Sequence, residues 1–291
     1  MVGPAHVEQG VFEVEIAAFE DAGARWQIPF EDVGRFQFAR GGATLPADTV
    51  AAYEQAARRL DRPLRIPADR QARRATLHQL ATERERVRAW LGRRLPATAI
   101  DVPGLAACRA GDEQLFAALE GLMAERGLAV VEEGFSRGFV SDPRSELVKG
   151  HAIVLAELGL VAYRGKIVRD AALFGGDWSR PRRRSHVLTR LAFVSELLDR
   201  AGHPTVTLYR GAAWDRRPSR HPRGALVSAT FSRAVAEDHF EGGPTTVSAA
   251  LWRQAVPVER LLMTFIETRA LNQRFKEAEA VLLATTGRAV F

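Results

Sequence analysis

Three short segments of this 291-residue chain carry side chains whose types and spacing could do chemistry. In the first, 207–211 (TLYRG), Arg210 stands where a strand would end and Gly211 follows at once. A guanidinium in that position can clamp a phosphate through parallel N–H groups. The glycine lets a flat ring approach the backbone, whose N–H and C=O can hold a carboxamide. In the second, 227–232 (VSATFS), Ser228 and Thr230 fall on one face of a short strand, and Ser232 is placed to cap the next helix. Capping accounts for Ser232, whereas Ser228 has no such local backbone task. In the third, 276–283 (KEAEAVLL), Glu277 and Glu279 sit two apart on one strand face, ahead of an apolar run. Like charges so close cost stability unless a cation, a hydroxyl or a substrate uses them. Taken singly, each segment has a plain alternative: a surface arginine, a pair of turn hydroxyls, a solvated strand start.

The elements that must position these residues are short strands, expected over 205–211, 225–228, 246–256, 262–266 and 279–284, with one helix after Ser232. Upstream the pattern is mainly helical. The stretch from Asp69 to about Arg94 reads as a long helix, with Leu77, Leu80, Val87 and Leu91 on one face. Its many arginines, mixed with Glu83 and Glu85, read as a salt-bridged surface, with nucleic-acid binding as the sharper alternative. A helix from Asp112 to Gly127 is followed by a short apolar strand over 128–131. Ser141, Asp142 and Pro143 open a helix to about Leu158, and 163–184 reads as irregular. Ser185 caps a helix to Gly202, with Val187, Leu188, Leu191, Val194 and Leu198 at helical spacing. Ahead of all these stand strands over 11–17 and 35–39 and a helix over 48–60. The expectation is an α+β protein, with a mainly helical accessory portion over 1–137 and a strand-rich portion over 138–291.

Composition bounds the rest. A hydrophobic fraction of 46% supports a sizeable core. No apolar run approaches the roughly 18 residues of a membrane helix, so no membrane partner is expected. The opening MVGPAHVEQG has neither a basic n-region nor an apolar h-region. A single cysteine, Cys108, excludes an intrachain disulfide framework, and seven scattered histidines show no ligand-like spacing, so no metal is expected. A reducing cytoplasm fits best, with delivery by a machine that reads no N-terminal signal as the other route. The net charge of +6 favours phosphate-bearing or acidic partners, and a solvated basic surface accounts for it equally well.

The three segments together are more specific than any one. Arg210, Ser228 some 18 residues on, and an E-x-E some 51 after that resemble the arginine–serine–glutamate class of mono-ADP-ribosyltransferases, the cholera-toxin-like group of bacterial toxins and their relatives. The LYRG wording and the helix ending Ala236 to Phe240 agree, and the resemblance covers about 205–285. It implies a split β-sheet catalytic domain and NAD as co-substrate. Position by position, it implies that Arg210 contacts an NAD phosphate or ribose and that Gly211 holds the nicotinamide amide. Ser228 would orient the catalytic glutamate and touch the nicotinamide ribose, with Thr230 on the same NAD-binding motif. Glu279 would be catalytic, and Glu277 would position or deprotonate the acceptor. The family's Ser-Thr-Ser reads Ser228-Ala229-Thr230 here, so the middle hydroxyl is lost. E-x-E implies a macromolecular acceptor carrying arginine, hence protein, with nucleic acid as a second possible acceptor. The segment 267–275, including Phe275, reads as an acceptor-contacting loop, and the basic 216–223 could recruit a phosphate-rich or acidic target. Two readings compete: an NAD glycohydrolase, and a non-catalytic basic nucleic-acid-binding protein in which these residues are incidental. Nothing in 1–140 resembles a known family, and oligomeric state is not fixed.

Overall fold

Short strands, not helices, are what the chain forms where it is described within residues 1–62, the first of two units into which it divides. The computed structural model describes residues 6–8, 11–15, 25–29, 37–39, 42–44, 63–95, 100–166, 168, 171–215, 224–273 and 276–284. In the first unit β1 (His6–Glu8), β2 (Val11–Glu15) and β3 (Arg25–Pro29) form an antiparallel sheet, and β4 (Gln37–Ala39) pairs with β5 (Gly42–Thr44). The strands expected at 11–17 and 35–39 coincide with β2 and β4 where described, and the helix expected over 48–60 lies outside the described residues.

The second unit, Pro63–Phe291, opens with β6 (Pro63–Ile66) and α1 (Arg70–Arg94), whose N-cap Asp69 accepts from the Ala72 N–H. Next come α2 (Val102–Cys108), α3 (Glu113–Glu125), α4 (Ala129–Ser141) and α5 (Glu146–Glu157). After β7 (Tyr163–Lys166), the antiparallel partner of β6, two 3-10 turns lead into α6 (Arg180–Arg200). The chain ends in β8 (Thr205–Trp214), β9 (Leu226–Thr230), α7 (Arg233–Glu241), β10 (Ser248–Pro257), β11 (Leu261–Thr264), α8 (Ala270–Gln273) and β12 (Glu279–Leu283). The strands after α6 form one antiparallel sheet in the order β10-β8-β9-β12-β11. The unit is α+β. No described helix is long and apolar enough to cross a membrane.

The division at Arg62/Pro63 differs from the boundary expected at 137/138, and packing explains why. Leu119 and Leu122 of α3 and Phe135 of α4 share one buried core with Leu191 and Val194 of α6, Met263 of β11 and Val281 of β12. A cut at 137/138 would fall inside α4 and divide that core. Helix α6 runs through its centre, with Val187, Leu191, Phe193, Val194 and Leu198 fully buried.

Three local expectations are corrected. Residues 129–131 begin helix α4 rather than a strand, because a four-residue apolar run fits either, and here Val131 and Phe135 are buried one turn apart. Helix α4 then continues to Ser141, and α5 is capped by Ser145, whose hydroxyl accepts from the Val148 N–H. Helix α6 starts at Arg180 with Pro181 in its first turn, five residues before the expected cap at Ser185. The run of arginines there has no helical pattern of apolar residues, but Arg183 is fully buried and donates to the carbonyls of Trp178, Leu147 and Leu173. Gly150 makes room for it, since a Cβ there would lie 2.8 Å from the guanidinium carbon.

Candidate active site

Strands β8 and β9 lie side by side yet share a single register pair, Tyr209 with Thr230. Beyond it β8 pairs only with β10, and β9 only with β12. The sheet therefore opens between these two strands. Arg210 and Ser228 flank the opening, and the Arg210 Nη1 donates to the Ser228 carbonyl at 2.6 Å. Burial lowers the Arg210 pKa, and no described carboxylate pairs with it.

Glu279 begins β12 opposite Thr230, a diagonal neighbour of Ser228, whose hydroxyl donates to its carboxylate. Burial raises the Glu279 pKa above the usual carboxylate range. The Ser228 hydrogen bond opposes that rise, the Glu277 charge adds to it, and His239 opposes it more weakly. Glu277 does not share a strand face with Glu279, contrary to the alternation expected for E-x-E. Ala278 between them has φ 48° and is buried, which breaks the pleat before β12 begins. Both carboxylates nonetheless line one pocket of about 170 Å³ with Arg210, Gly211, Ser228 and Thr230. The Glu277 carboxylate lies 3.6 Å from Nε2 of His239, on α7.

Two residues have structural tasks that the sequence did not reveal. Thr230 is buried, and its hydroxyl donates to the Glu277 carbonyl while accepting from the Ser232 N–H. It fixes the approach to the E-x-E, with Ser232 capping α7. Gly211 faces α7 so closely that a Cβ would fall 1.7 Å from the Ala236 carbonyl oxygen. Only glycine lets that helix cross the strand there.

A second cavity, of about 880 Å³, lies past Arg210 and Ser228. Its lining includes Arg144, Lys149, Arg164, Trp214 and Trp252, and the two indoles meet edge to face at 6.1 Å. None of these stands out in the sequence, nor does His239. Arg164 is legible there only as the polar position of the Tyr-Arg-Gly-Lys alternation, and His239 only as lying one turn beyond Ala236 on α7.

The expected acceptor loop is partly corrected. Residues 270–273 form the short helix α8, and Glu267 is buried in an ion pair with Arg190. Phe275 and the basic 216–223 lie outside the described residues. Among the described residues no group of three His, Cys, Asp or Glu could hold a metal ion. No family model, curated protein or solved structure matches the chain.

Proposed function

We propose that this protein is a mono-ADP-ribosyltransferase that cleaves NAD and transfers its ADP-ribose to a macromolecular acceptor, most simply a protein arginine. One observation carries the reading: Arg210, Ser228, Glu277 and Glu279, from three separate segments, converge on one pocket at the opening of a sheet. The ADP-ribosyltransferase-like fold belongs to the same proposal.

The chemistry follows from the side chains. The bond from C1′ of the ribose to the nicotinamide nitrogen breaks early, and positive charge builds on the sugar. Glu279, ionised, stabilises that charge beside the 2′-hydroxyl, and the Ser228 hydroxyl holds the carboxylate in place and favours its charged form. Arg210 has donors left over after its bond to the Ser228 carbonyl, and these meet the pyrophosphate. The acceptor nitrogen then bonds to C1′ and loses its proton to Glu277, which lies at the pocket near exposed His239. Nicotinamide leaves with the electron pair of the broken bond.

The test uses NAD labelled in its adenylate half, incubated with the full chain and a protein lysate, following nicotinamide release and label transfer together. Wild type should release nicotinamide and label protein, and Glu277→Gln should keep much of the release while losing transfer. Release without transfer by wild type would make water the acceptor and the protein a glycohydrolase. Absence of both release and transfer would reject the NAD reading.

A further inference from the structure

The outward face of the β6–β7 ribbon and the first turn of α1 present guanidiniums that no described carboxylate ion-pairs. Leu64, Ile66 and Tyr163 of the ribbon pack on the apolar core, so Arg65 and Arg164 alternate onto its other face. These two are register partners, and like charges set directly opposite destabilise a strand pair. Helix α1 begins at Arg70 with no acidic residue in its first turn. Arg70 and Arg73 thus stand at the positive end of a 25-residue helix, where cations are unfavourable. Arg65, Arg70, Arg73 and Arg164 line one cavity of about 610 Å³. Among the described residues none of the four is in an ion pair. Asp69, also on the lining, caps the helix by accepting from the Ala72 N–H at 2.6 Å and keeps its negative charge, so the basin sets four cations against one anion. Farther along the same helix the pattern reverses, with Arg84, Arg86, Arg88 and Arg94 all paired to carboxylates. Arg74 and Arg93 of this helix are also without an ion pair among the described residues, so what marks the basin is that four such guanidiniums line one cavity.

We propose that this basin binds the phosphate backbone of a single-stranded nucleic acid. Two unfavourable placements, opposed guanidiniums and cations at a helix N-terminus, are relieved together by an anion seated among them. The basin adjoins the larger cavity through Tyr163 and Arg164, which line both. Along that path stand Arg144 and the half-buried indoles of Trp214 and Trp252. Guanidiniums along a groove followed by aromatic faces are what a strand with unpaired bases needs, phosphates on the first and bases on the second. A lipid surface fits less well, because the exposed large apolar side chains Leu77, Val130, Phe240, Val247 and Leu251 line neither cavity.

The experiment is fluorescence anisotropy of a labelled single strand of about 12 nucleotides, within the span such grooves take, titrated with the full chain over a salt series. The variants are Arg65→Glu/Arg164→Glu, Arg70→Glu/Arg73→Glu, and Arg137→Glu as an exposed control on α4, away from both cavities. Each double variant should weaken binding at least about tenfold and lower the log–log salt slope by about 1.4, because two phosphates are no longer neutralised. Arg137→Glu should change neither. Thermal melts identify any variant that does not fold, and the other double variant then decides. Absence of wild-type binding at low salt, equal binding by all the variants, or binding to phosphatidylserine vesicles without binding to the strand would each overturn the proposal. No NAD enters this assay, so its failure leaves the NAD reading standing.

Discussion

Two sets of arginine and glutamate side chains in the same unit have opposite electrostatics. In the core between α4, α5 and α6, Arg190 uses all five of its N–H groups: two on Glu132, two shared by Glu267 and the Leu262 carbonyl, one on Thr268. Glu267 in turn accepts from the Thr264 N–H and the Thr264 and Thr268 hydroxyls. Arg183 can only donate, so Nδ1 of His151 accepts from it. Nε2 of His151 must then donate to Nδ1 of His186 at 3.2 Å, and Nε2 of His186 to Glu132 at 2.9 Å. Two arginines, two glutamates and two neutral histidines sum to zero. Burial opposes the charge on Glu132, but Arg190 and His186 outweigh it and bring its pKa down to about 2. At the pocket the balance is reversed: burial wins at Glu279, Glu277 adds like charge, and Arg210 has only a carbonyl. Charges that hold the fold are matched internally, and those at the pocket are left to be matched by something else.

The largest test of that contrast is Arg190→Met. It leaves Glu132 and Glu267 buried without their cation and should cost about 3–5 kcal/mol of stability in chemical unfolding. A loss under about 1 kcal/mol would mean that the core charges are not matched as the geometry indicates. At the pocket, Glu279→Gln should slow NAD cleavage about a hundred- to thousand-fold. Its melting temperature should equal or exceed that of wild type. The sign follows from the raised pKa: the folded state holds the proton more tightly, so stability falls as pH rises from the unfolded carboxylate value through the raised one. The ionised carboxylate is thus a cost that glutamine removes. A marked drop in melting temperature would assign Glu279 to the structure instead.

The matched network was far less legible in the sequence than the pocket. Arg183 and Arg190 are indistinguishable by type from the exposed arginines of α1, and their partners Glu132, His151 and Glu267 come from other segments, up to 77 residues away. Glu267 read as part of a loop ahead of the E-x-E, yet it is 1% exposed. Leu77, expected on the buried face of α1, is 45% exposed, while Thr76 and Glu83 are buried, Thr76 by donating to the Leu158 carbonyl. The strands of the sheet were readable because their apolar runs alternate or stay buried over several residues. The caps at Asp112 and Ser232 were readable because one oxygen meets a helix start. What short-range pattern could not show was the left-handed Ala278, which breaks the pleat and leaves Glu277 outside β12.

A smaller effect separates the two regions by pH. Burial lowers the pKa of both His151 and His186, so the unfolded chain binds protons that the folded one refuses. Their contribution is complete above about 6.5 and is lost as pH falls below it, by at most about 1.4 kcal/mol per pH unit for each. Urea midpoints at pH 7.5 and 5.5 measure it, and equal midpoints would contradict two buried neutral imidazoles. The smallest expected change is in the acid limb of NAD cleavage. Ser228→Ala removes a donor to the Glu279 carboxylate and should move the midpoint to higher pH, whereas Glu277→Gln removes a like charge and should move it lower. Shifts of the same sign in both variants would mean that at least one of the two side chains does not act on Glu279 in this way.

The lone register pair between β8 and β9 has a mechanical consequence. Elsewhere in this sheet the spacing of adjacent strands is clamped by backbone ladders, whereas past Tyr209 and Thr230 it is spanned by the Arg210 side chain reaching the Ser228 carbonyl. A side chain can swivel, so the gap can widen or narrow without unzipping a strand. A bound anion that draws the guanidinium toward itself would thereby set the distance between the two halves of the sheet, and with it how far Glu279 stands from whatever lies on the β8 side.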